Sequence, residues 1–312
     1  MAFYLALRLG LFLAHLVPAR VFIGATAQLF RAGARLSPAY SRVARNLAAM
    51  RGVLPAGVPA ARTRPDDVFE SYGRYWGELL AQAARPERDI MTPLRIEGRE
   101  RLDEARARGS VCVLTGHLGN WDLLARWTSA QVGGLTVLAE TLRPPGLPRL
   151  FVRLREAAGC RVLPAESSGL KLYRHWRRGG HCGLVVDRVF GAGQAAGGSR
   201  EVAFLGGRRR FPSSGMDLAR RAGASLVPIF LLREKGGYAI KVHPPLPEGE
   251  DPVAAFAKAL AREIQARPEQ WCVLYPLHDA GDGARDAGEA PGGAARAAAI
   301  PSGIGVKGRQ AP

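Results

Sequence analysis

Hydrophobic residues recur at intervals of three and four along residues 3–85, the spacing that places them on one face of a helix. Pro18, Pro38 and the stretch LPAGVPAARTRP at 54–65 interrupt this pattern. The first part of the chain is therefore predicted to consist of consecutive helices.

From residue 110 onward, short β-rich runs alternate with helical stretches such as LPRLFVRLREAAG and GMDLARRAG. The β-rich runs are VCVLT, LTVLA, GLVVD, EVAFL, SLVPIFLL and YAIKVH. This alternation predicts an α/β fold with a mostly parallel central sheet flanked by helices. We assign 1–85 to an N-terminal helical, membrane-associating region and 86–279 to the α/β core. Residues 280–312 hold no aromatic residue and are expected to be a disordered tail.

The first thirty residues are strongly apolar, but Arg8 and Arg20 leave only eleven uncharged positions between them. That length is too short to cross a bilayer. The segment is expected either to lie in a membrane interface or to pack on the core. Ala25-Thr26-Ala27 could be a signal-cleavage site, although no basic segment precedes Arg8.

Composition and charge limit the classes of protein and of binding partner that fit this chain. Of 312 residues, 47% are hydrophobic, which excludes disorder of the whole chain. A net charge of +17 suggests an anionic partner: nucleic acid, an acidic leaflet or a phosphorylated substrate. The four cysteines lie 48, 22 and 90 residues apart, which fits neither a zinc ribbon nor a disulfide framework. They are expected to be buried thiols in a reducing compartment.

The segment VCVLTGHLGNWDLLARW carries the candidate chemistry. Val111–Thr115 is predicted to be a buried strand, Gly116–Gly119 a tight loop, and Asn120 the N-cap of a helix. With His117 in the loop and Asp122 in the first helical turn, the carboxylate is expected to reach the imidazole. An oriented His–Asp pair can deprotonate a hydroxyl near neutral pH. The alternative is a loop histidine that makes only a structural hydrogen bond.

The run Gly116-His117-Leu118-Gly119-Asn120-Trp121-Asp122 resembles the H-x4-D/E segment of a known family. This family is the bacterial lipid A biosynthesis acyltransferases (lauroyl/myristoyl acyltransferases), together with the phosphatidylinositol mannoside acyltransferases. The resemblance covers residues 1–278 and continues through LAETLRPP, LREAAGCRVLP, GLVVDR, REVAFLGG, PSSGMDLARRAGASLVPIF and RPEQWCVLYP. The chain departs from the family pattern at Leu205, at Ser214 and in VFGAG after Arg188.

The resemblance implies a glycerolipid acyltransferase-like fold and a direct acyl transfer. His117 would take the proton of a hydroxyl on an anionic glycolipid, and Asp122 would orient His117. The hydroxyl oxygen would attack a thioester, either acyl-CoA or an acyl chain on acyl carrier protein. Arg155 or loop N–H groups would stabilise the oxyanion. The implied substrate-binding residues are Glu140, Arg155, Asp187, Arg188 and Glu201.

An apolar N-terminal segment and a surplus of arginine predict attachment to the cytoplasmic face of the inner (plasma) membrane, either peripheral or through the N-terminus. No metal is expected, since the chain offers no complete ligand set, and no cofactor is expected beyond the acyl donor. Glu140 and Glu201 have a simpler interpretation as solvated or salt-bridged carboxylates. Two basic clusters either contact phosphate groups or form solvated faces, namely Arg174 with Arg177 and Arg178, and Arg208 with Arg209 and Arg210.

Other classes of function find weaker support. A serine hydrolase would need a G-x-S-x-G elbow, which the chain lacks. The Gly-rich run 191–196 leads into a strand rather than into the helix of a dinucleotide site. A metal site from His117, Asp122 and His181 lacks HExxH-like order. The non-enzymatic alternative is a basic membrane- or nucleic-acid-binding protein, although no nucleic-acid-binding motif is present and nucleic acid is not expected as a partner.

Overall fold

The computed structural model describes residues 2–52, 62–86, 88–139, 146–165, 168–189, 198–272 and 274–277. The predicted N-terminal helices are confirmed, with breaks at the predicted prolines. They are α1 (Ala2–Leu16), α2 (Ala19–Gly33), α3 (Tyr40–Arg51) and α4 (Pro65–Ala84). The later helices are α5 (Arg99–Arg108), α6 (Trp121–Val132), α7 (Gly146–Ala157), α8 (Gly169–Arg177), α9 (Ser214–Arg221) and α10 (Pro252–Ala266).

Seven of the nine described strands form one sheet in the order β1-β9-β8-β2-β5-β3-β4. The sheet strands are β1 (Leu94–Glu97), β2 (Val111–Thr115), β3 (Leu135–Ala139), β4 (Cys160–Pro164), β5 (Cys182–Val185), β8 (Ser225–Glu234) and β9 (Gly237–Val242). Every neighbouring pair is parallel except β8 and β9. The predicted α/β class with a mostly parallel sheet is confirmed.

The run EVAFL does not join this sheet. Its first four residues lie in β6 (Ser199–Phe204), which pairs antiparallel with β7 (Gly207–Pro212) as a separate hairpin. Leu205 and Gly206 form the turn between the two strands, with φ of +45° and +86°. Two consecutive residues with positive φ match the twist of a two-residue hairpin.

Alternate side chains of β2 pack into two hydrophobic clusters on opposite faces of the sheet. Cys112 and Leu114 point into a cluster that includes the buried side of α4. Val111 and Val113 point into a second cluster beneath α5 and α6. All four cysteines are free and buried, as the sequence predicted.

Helix α1 has two different faces. Leu7 and Ala14 are buried against the protein, and Arg85 donates hydrogen bonds to the carbonyl oxygens of His15 and Val17 at its end. The opposite side, called here the α1 outer face, consists of the exposed residues Leu5, Leu9, Phe12, Leu13 and Leu16. No helix within the described ranges is both long and apolar enough to cross a bilayer.

Helices α2 and α4 approach each other closely because α4 has glycine at the contact. A β-carbon on Gly77 would collide with Thr26 Oγ1 and would lie 2.9 Å from the Cα of Ile23. Similarly, a β-carbon on Gly73, one helical turn before Gly77, would lie 2.6 Å from the carbonyl oxygen of Thr26. The two backbones therefore pack against one another without an intervening side chain.

We expect Gly77→Ala to lower the free energy of unfolding by about 1–3 kcal/mol, because the helices must separate to admit the methyl group. Gly24→Ala is the matched control on α2, where a β-carbon meets nothing within 4 Å. That variant should be neutral or stabilising by up to about 1 kcal/mol through helix propensity. Urea denaturation of both variants is the measurement, and equal effects would contradict the close packing.

Candidate active site

His117 and Asp187 follow two adjacent strands at the same edge of the sheet. Strands β2 and β5 are parallel, with Thr115 paired to Val185, and the N–H of Val186 donates to the carbonyl of Thr115 at 2.9 Å. Each candidate residue stands two positions beyond its strand's paired end. The strand register therefore brings the two side chains together across 70 positions of sequence.

The imidazole of His117 is held by the carboxylate of Asp187. His117 Nδ1 lies 2.7 Å from Asp187 Oδ1, while Oδ2 accepts the backbone N–H of His117 at 2.9 Å and the indole N–H of Trp271 at 3.0 Å. An ionised carboxylate only accepts hydrogen bonds, so Nδ1 carries the proton. The Nε2 atom is then unprotonated and is the basic nitrogen of the pair.

Asp187 is completely buried yet remains ionised. Burial alone would raise the pKa of this carboxyl group. The charge of His117 in its protonated form and the hydrogen bonds from His117 and Trp271 outweigh burial, and the pKa of Asp187 is lowered to about 2. The carboxylate is therefore available to stabilise a positive charge on the imidazole.

Asp122 does not orient His117, contrary to the sequence prediction. Its carboxylate instead accepts hydrogen bonds from Arg155 Nε at 2.8 Å and from the hydroxyl of Tyr75 at 2.6 Å. Burial first, and the charge of Asp122 second, raise the pKa of Tyr75 well above its ordinary value, which keeps its hydroxyl a donor. In the first turn of α6, Asp122 thus contacts side chains of α4 and α7.

The loop after β2 is fixed by hydrogen bonds on both sides. The N–H of Gly119 donates to the carbonyl of Gln270 at 2.9 Å, and that of Asn120 donates to the carbonyl of Leu231 at 3.2 Å. Gly119 has a φ of +66°, and a β-carbon there would collide with the carbonyl oxygen of Leu231. With the His117 N–H bound to Asp187, these three loop N–H groups are already used and are poor candidates for the oxyanion site.

Asn120 is the N-cap of α6, as predicted, since its side-chain oxygen accepts the N–H of Leu123 at 3.1 Å. Its amide nitrogen donates to the buried carboxylate of Glu78 at 2.8 Å. Glu78 also pairs with Arg233 at 3.0 Å. Helix α4 thus supports the catalytic segment at two points, through Tyr75 and Glu78, and neither contact could be read from local spacing.

The remaining predicted substrate-binding residues have different surroundings. The Arg188 guanidinium lies 4.4 Å from the ring centre of Tyr275, beside Asp187. Glu201 is exposed on β6 and pairs with Arg208, which agrees with its interpretation as a salt-bridged carboxylate. Arg155 is paired with Asp122, as described above. Glu140 lies outside the described residues, as do the Gly-rich run 191–196 and the predicted tail 280–312.

The two basic clusters differ from each other. Arg174, Arg177 and Arg178 are exposed at the end of α8, which precedes β5, so they lie at the sheet edge opposite His117. In the second cluster, Arg208 and Arg210 are exposed. Arg209 is buried and donates to the carbonyls of Asp187, Pro276 and Leu277 at 2.7–2.9 Å. Alternation along β7 explains this split, since the middle residue of three points inward.

The metal set considered from sequence is not assembled. His181 Nδ1 accepts the N–H of Val111 at the start of β2, whereas His117 lies beyond the end of that strand. Within the described residues, no group of three or more His, Cys, Asp or Glu side chains is arranged to hold a metal ion.

A small cavity of about 40 Å³ lies beneath α6, lined by residues from Trp121 to the start of β3. Its wall is mainly aliphatic, with Val113, Leu124, Leu135, Val137, Leu138 and Val185 among the lining residues. The Trp121 ring also meets the His117 ring edge-on, with 4.8 Å between centroids. Trp121 therefore contacts the imidazole of His117 and also lines this cavity.

Comparison with known proteins agrees with the motif order. The model of the bacterial lipid A biosynthesis acyltransferase family matches residues 2–278. A phosphatidylinositol mannoside acyltransferase of Mycobacterium tuberculosis (strain CDC 1551 / Oshkosh) is 33% identical over 243 residues, 74% of this chain and 75% of that protein. The protein of the same name in Mycolicibacterium smegmatis is 31% identical over 261 residues, 80% of this chain and 83% of the relative.

We expect Asp122→Asn to lower the free energy of unfolding by about 3 kcal/mol, because Arg155 would keep its charge in a largely buried position without a carboxylate partner. Asp217→Asn is the matched control, since its partner Arg200 is 40% exposed and the loss should stay below about 1 kcal/mol. Chemical denaturation measures both, and equal small losses would show that the Asp122–Arg155 pair does not support the fold.

Proposed function

Since the chain belongs to the bacterial lipid A biosynthesis acyltransferase family, we propose that it transfers a fatty acyl group from a thioester to a hydroxyl of an anionic glycolipid. The observation that carries this proposal is the His117–Asp187 pair, in which Nδ1 is protonated and Nε2 is a base. Asp187 replaces Asp122 in the orienting role that the sequence suggested.

In the proposed reaction, Nε2 of His117 takes the proton of the acceptor hydroxyl. The oxygen attacks the carbonyl carbon of the thioester, and an ester bond forms as the C–S bond breaks. The imidazolium then returns the proton to the leaving thiolate. Asp187 stabilises the imidazolium while the proton resides there, because it already bonds Nδ1 and is ionised.

The oxyanion of this reaction requires a hydrogen-bond donor. We assign this role to Arg155, since three N–H groups of the loop already donate elsewhere. Burial lowers the pKa of Arg155, but the charge of Asp122 and its hydrogen bond raise that pKa by more. The guanidinium therefore remains charged. Its Nε donates to Asp122, and neither terminal nitrogen has a partner among the described residues.

The substrates follow from the family and from the surroundings of the site. The relatives are named for phosphatidylinositol mannoside, and this lipid or a lipid A precursor would bring an anionic headgroup and a sugar hydroxyl. Arg208 and Arg210 are exposed on the hairpin whose Arg209 contacts Asp187, and we propose that they bind a phosphate of this headgroup.

We also propose that the protein works at the cytoplasmic face of the plasma membrane, attached through the α1 outer face. Phe12 and Leu9 are 59% and 58% exposed, although such side chains are usually buried. Arg8 and Arg20 are exposed beside them and would meet an anionic leaflet. The inner face of α1 packs on the core, and we propose that its outer face lies in the membrane interface. Each of the two expected placements of the N-terminal segment thus applies to one face of the same helix.

We expect His117→Ala to lower the rate of acyl transfer by about 10²- to 10⁴-fold while the protein stays folded. Asp187→Asn should cause a comparable loss, because an amide can donate to Nδ1 and so leave the proton on Nε2. The assay follows transfer from radiolabelled acyl-CoA or acyl carrier protein to phosphatidylinositol mannoside or a lipid A precursor. Asp217→Asn provides a control with a half-buried carboxylate on α9 that pairs with Arg200.

A folded His117→Ala protein with near-normal turnover would rule out the mechanism. A wild-type protein that binds the glycolipid but transfers no acyl group from either donor would favour the basic binding-protein alternative instead.

We expect the double variant Leu9→Gln with Phe12→Gln to reduce binding to anionic liposomes at least tenfold, because each exposed apolar side chain buried in the interface contributes about 1.5–3 kcal/mol. Leu170→Gln is the control, since this side chain is 61% exposed but lies on α8. Co-sedimentation over a salt series measures binding. Unchanged binding by the double variant would place the membrane contact elsewhere.

A further inference from the structure

We propose that Trp271 is a positioning residue for the reaction, acting on His117 through the carboxylate of Asp187. The inference rests on the proposed function and adds a residue that does not touch the substrate. Trp271 is 4% exposed, and its indole N–H donates to Asp187 Oδ2 at 3.0 Å.

Trp271 belongs to a segment that runs alongside the catalytic loop. This C-terminal strap comprises residues 270–272 and 274–277 among those described. The N–H of Cys272 donates to the carbonyl of His117 at 2.8 Å, and Leu118 and Trp271 form an antiparallel β-bridge. These backbone contacts fix the position of the Trp271 backbone relative to His117.

The ring of Trp271 is also held from the side of the hairpin. Phe204 meets it edge-on, with 5.8 Å between centroids, and the guanidinium of Arg209 lies 5.5 Å from its centre. Arg209 donates to the backbone carbonyl of Asp187. Trp271 instead donates to the carboxylate itself.

The orientation of the carboxylate matters because the terminal torsion of an aspartate is soft. With Oδ2 bonded to the indole and to the N–H of His117, Oδ1 faces the imidazole Nδ1 at 2.7 Å. Removal of the indole donor leaves Oδ2 with one partner and lets the carboxylate rotate. The imidazole would then sample orientations in which Nε2 does not face the acceptor hydroxyl.

The test compares Trp271→Phe with Trp176→Phe. Trp176, on α8, is the matched control because it is buried like Trp271, at 1% exposed, but its indole N–H has no hydrogen-bond partner among the described residues. Trp271→Phe should lower kcat about tenfold, the effect of losing a hydrogen bond to a charged group. Its KM values for donor and acceptor should change less than twofold. Trp176→Phe should leave kcat unchanged within twofold.

A spectroscopic measurement on the full chain separates positioning from loss of stability. The Nδ1 proton in the His117–Asp187 hydrogen bond should give a downfield NMR resonance, identified by its absence from His117→Ala. We expect this resonance to move or disappear in Trp271→Phe and to stay in place in Trp176→Phe. Should Trp271→Phe fail to fold, 3-benzothienylalanine at position 271 keeps the ring shape and replaces only the N–H.

An unchanged resonance, or equal loss of kcat in both tryptophan variants, would overturn the proposal. So would a lost resonance with full kcat, provided that His117→Ala is inactive. If His117→Ala is active while the resonance still depends on Trp271, the contact between the three side chains is real and the proposed catalytic function is the part that fails.

Discussion

The buried negative charge of Asp187 is the constraint on which the surrounding structure depends. An ionised carboxylate without contact to water is costly unless nearly all of its acceptor positions are filled. Here the donors come from the loop after β2 and from the C-terminal strap, and Arg209 of the hairpin binds the carbonyl of the same residue. Three segments that are distant in sequence must therefore assemble together, because displacement of any one would remove a hydrogen bond from the carboxylate or from the carbonyl of Asp187.

Helix α4 connects the N-terminal helices to the catalytic segment. One side of it packs backbone to backbone on α2 through Gly73 and Gly77, and the other side reaches the catalytic segment through Tyr75 and Glu78. A single hydrophobic cluster continues from the N-terminal helices through α4 to the sheet. The N-terminal helices and the α/β core thus contact each other through α4 and share one hydrophobic cluster.

Much of the local structure could be predicted from sequence, because short-range rules determine it. The strand Val111–Thr115, the N-cap at Asn120 and the proline breaks between helices all depend on neighbouring residues alone. The partner of His117 could not be predicted in this way. Asp122 is near in sequence, but Asp187 is near in space, and only the pairing of β2 with β5 reveals that.

The hairpin and Arg209 show the same limit. Leu205 is an unusual residue for a positive φ, so the turn after EVAF had no strong signal in the sequence. Once β7 is recognised as a strand, alternation alone explains why the middle arginine of three is buried. Propensity rules failed here because a tertiary contact determines the backbone conformation.

The glycine contact between α2 and α4 has a consequence for the choice of lipid. The close contact joins α2 to α4, and α1 packs on the same hydrophobic cluster through Leu7 and Ala14, so the α1 outer face and His117 belong to one packed unit. In the proposed orientation on a leaflet, Nε2 is therefore held at a fixed height above the bilayer. The enzyme would select its acceptor partly by depth, accepting the hydroxyl that the glycolipid presents at that height and passing over chemically similar hydroxyls nearer to or farther from the membrane.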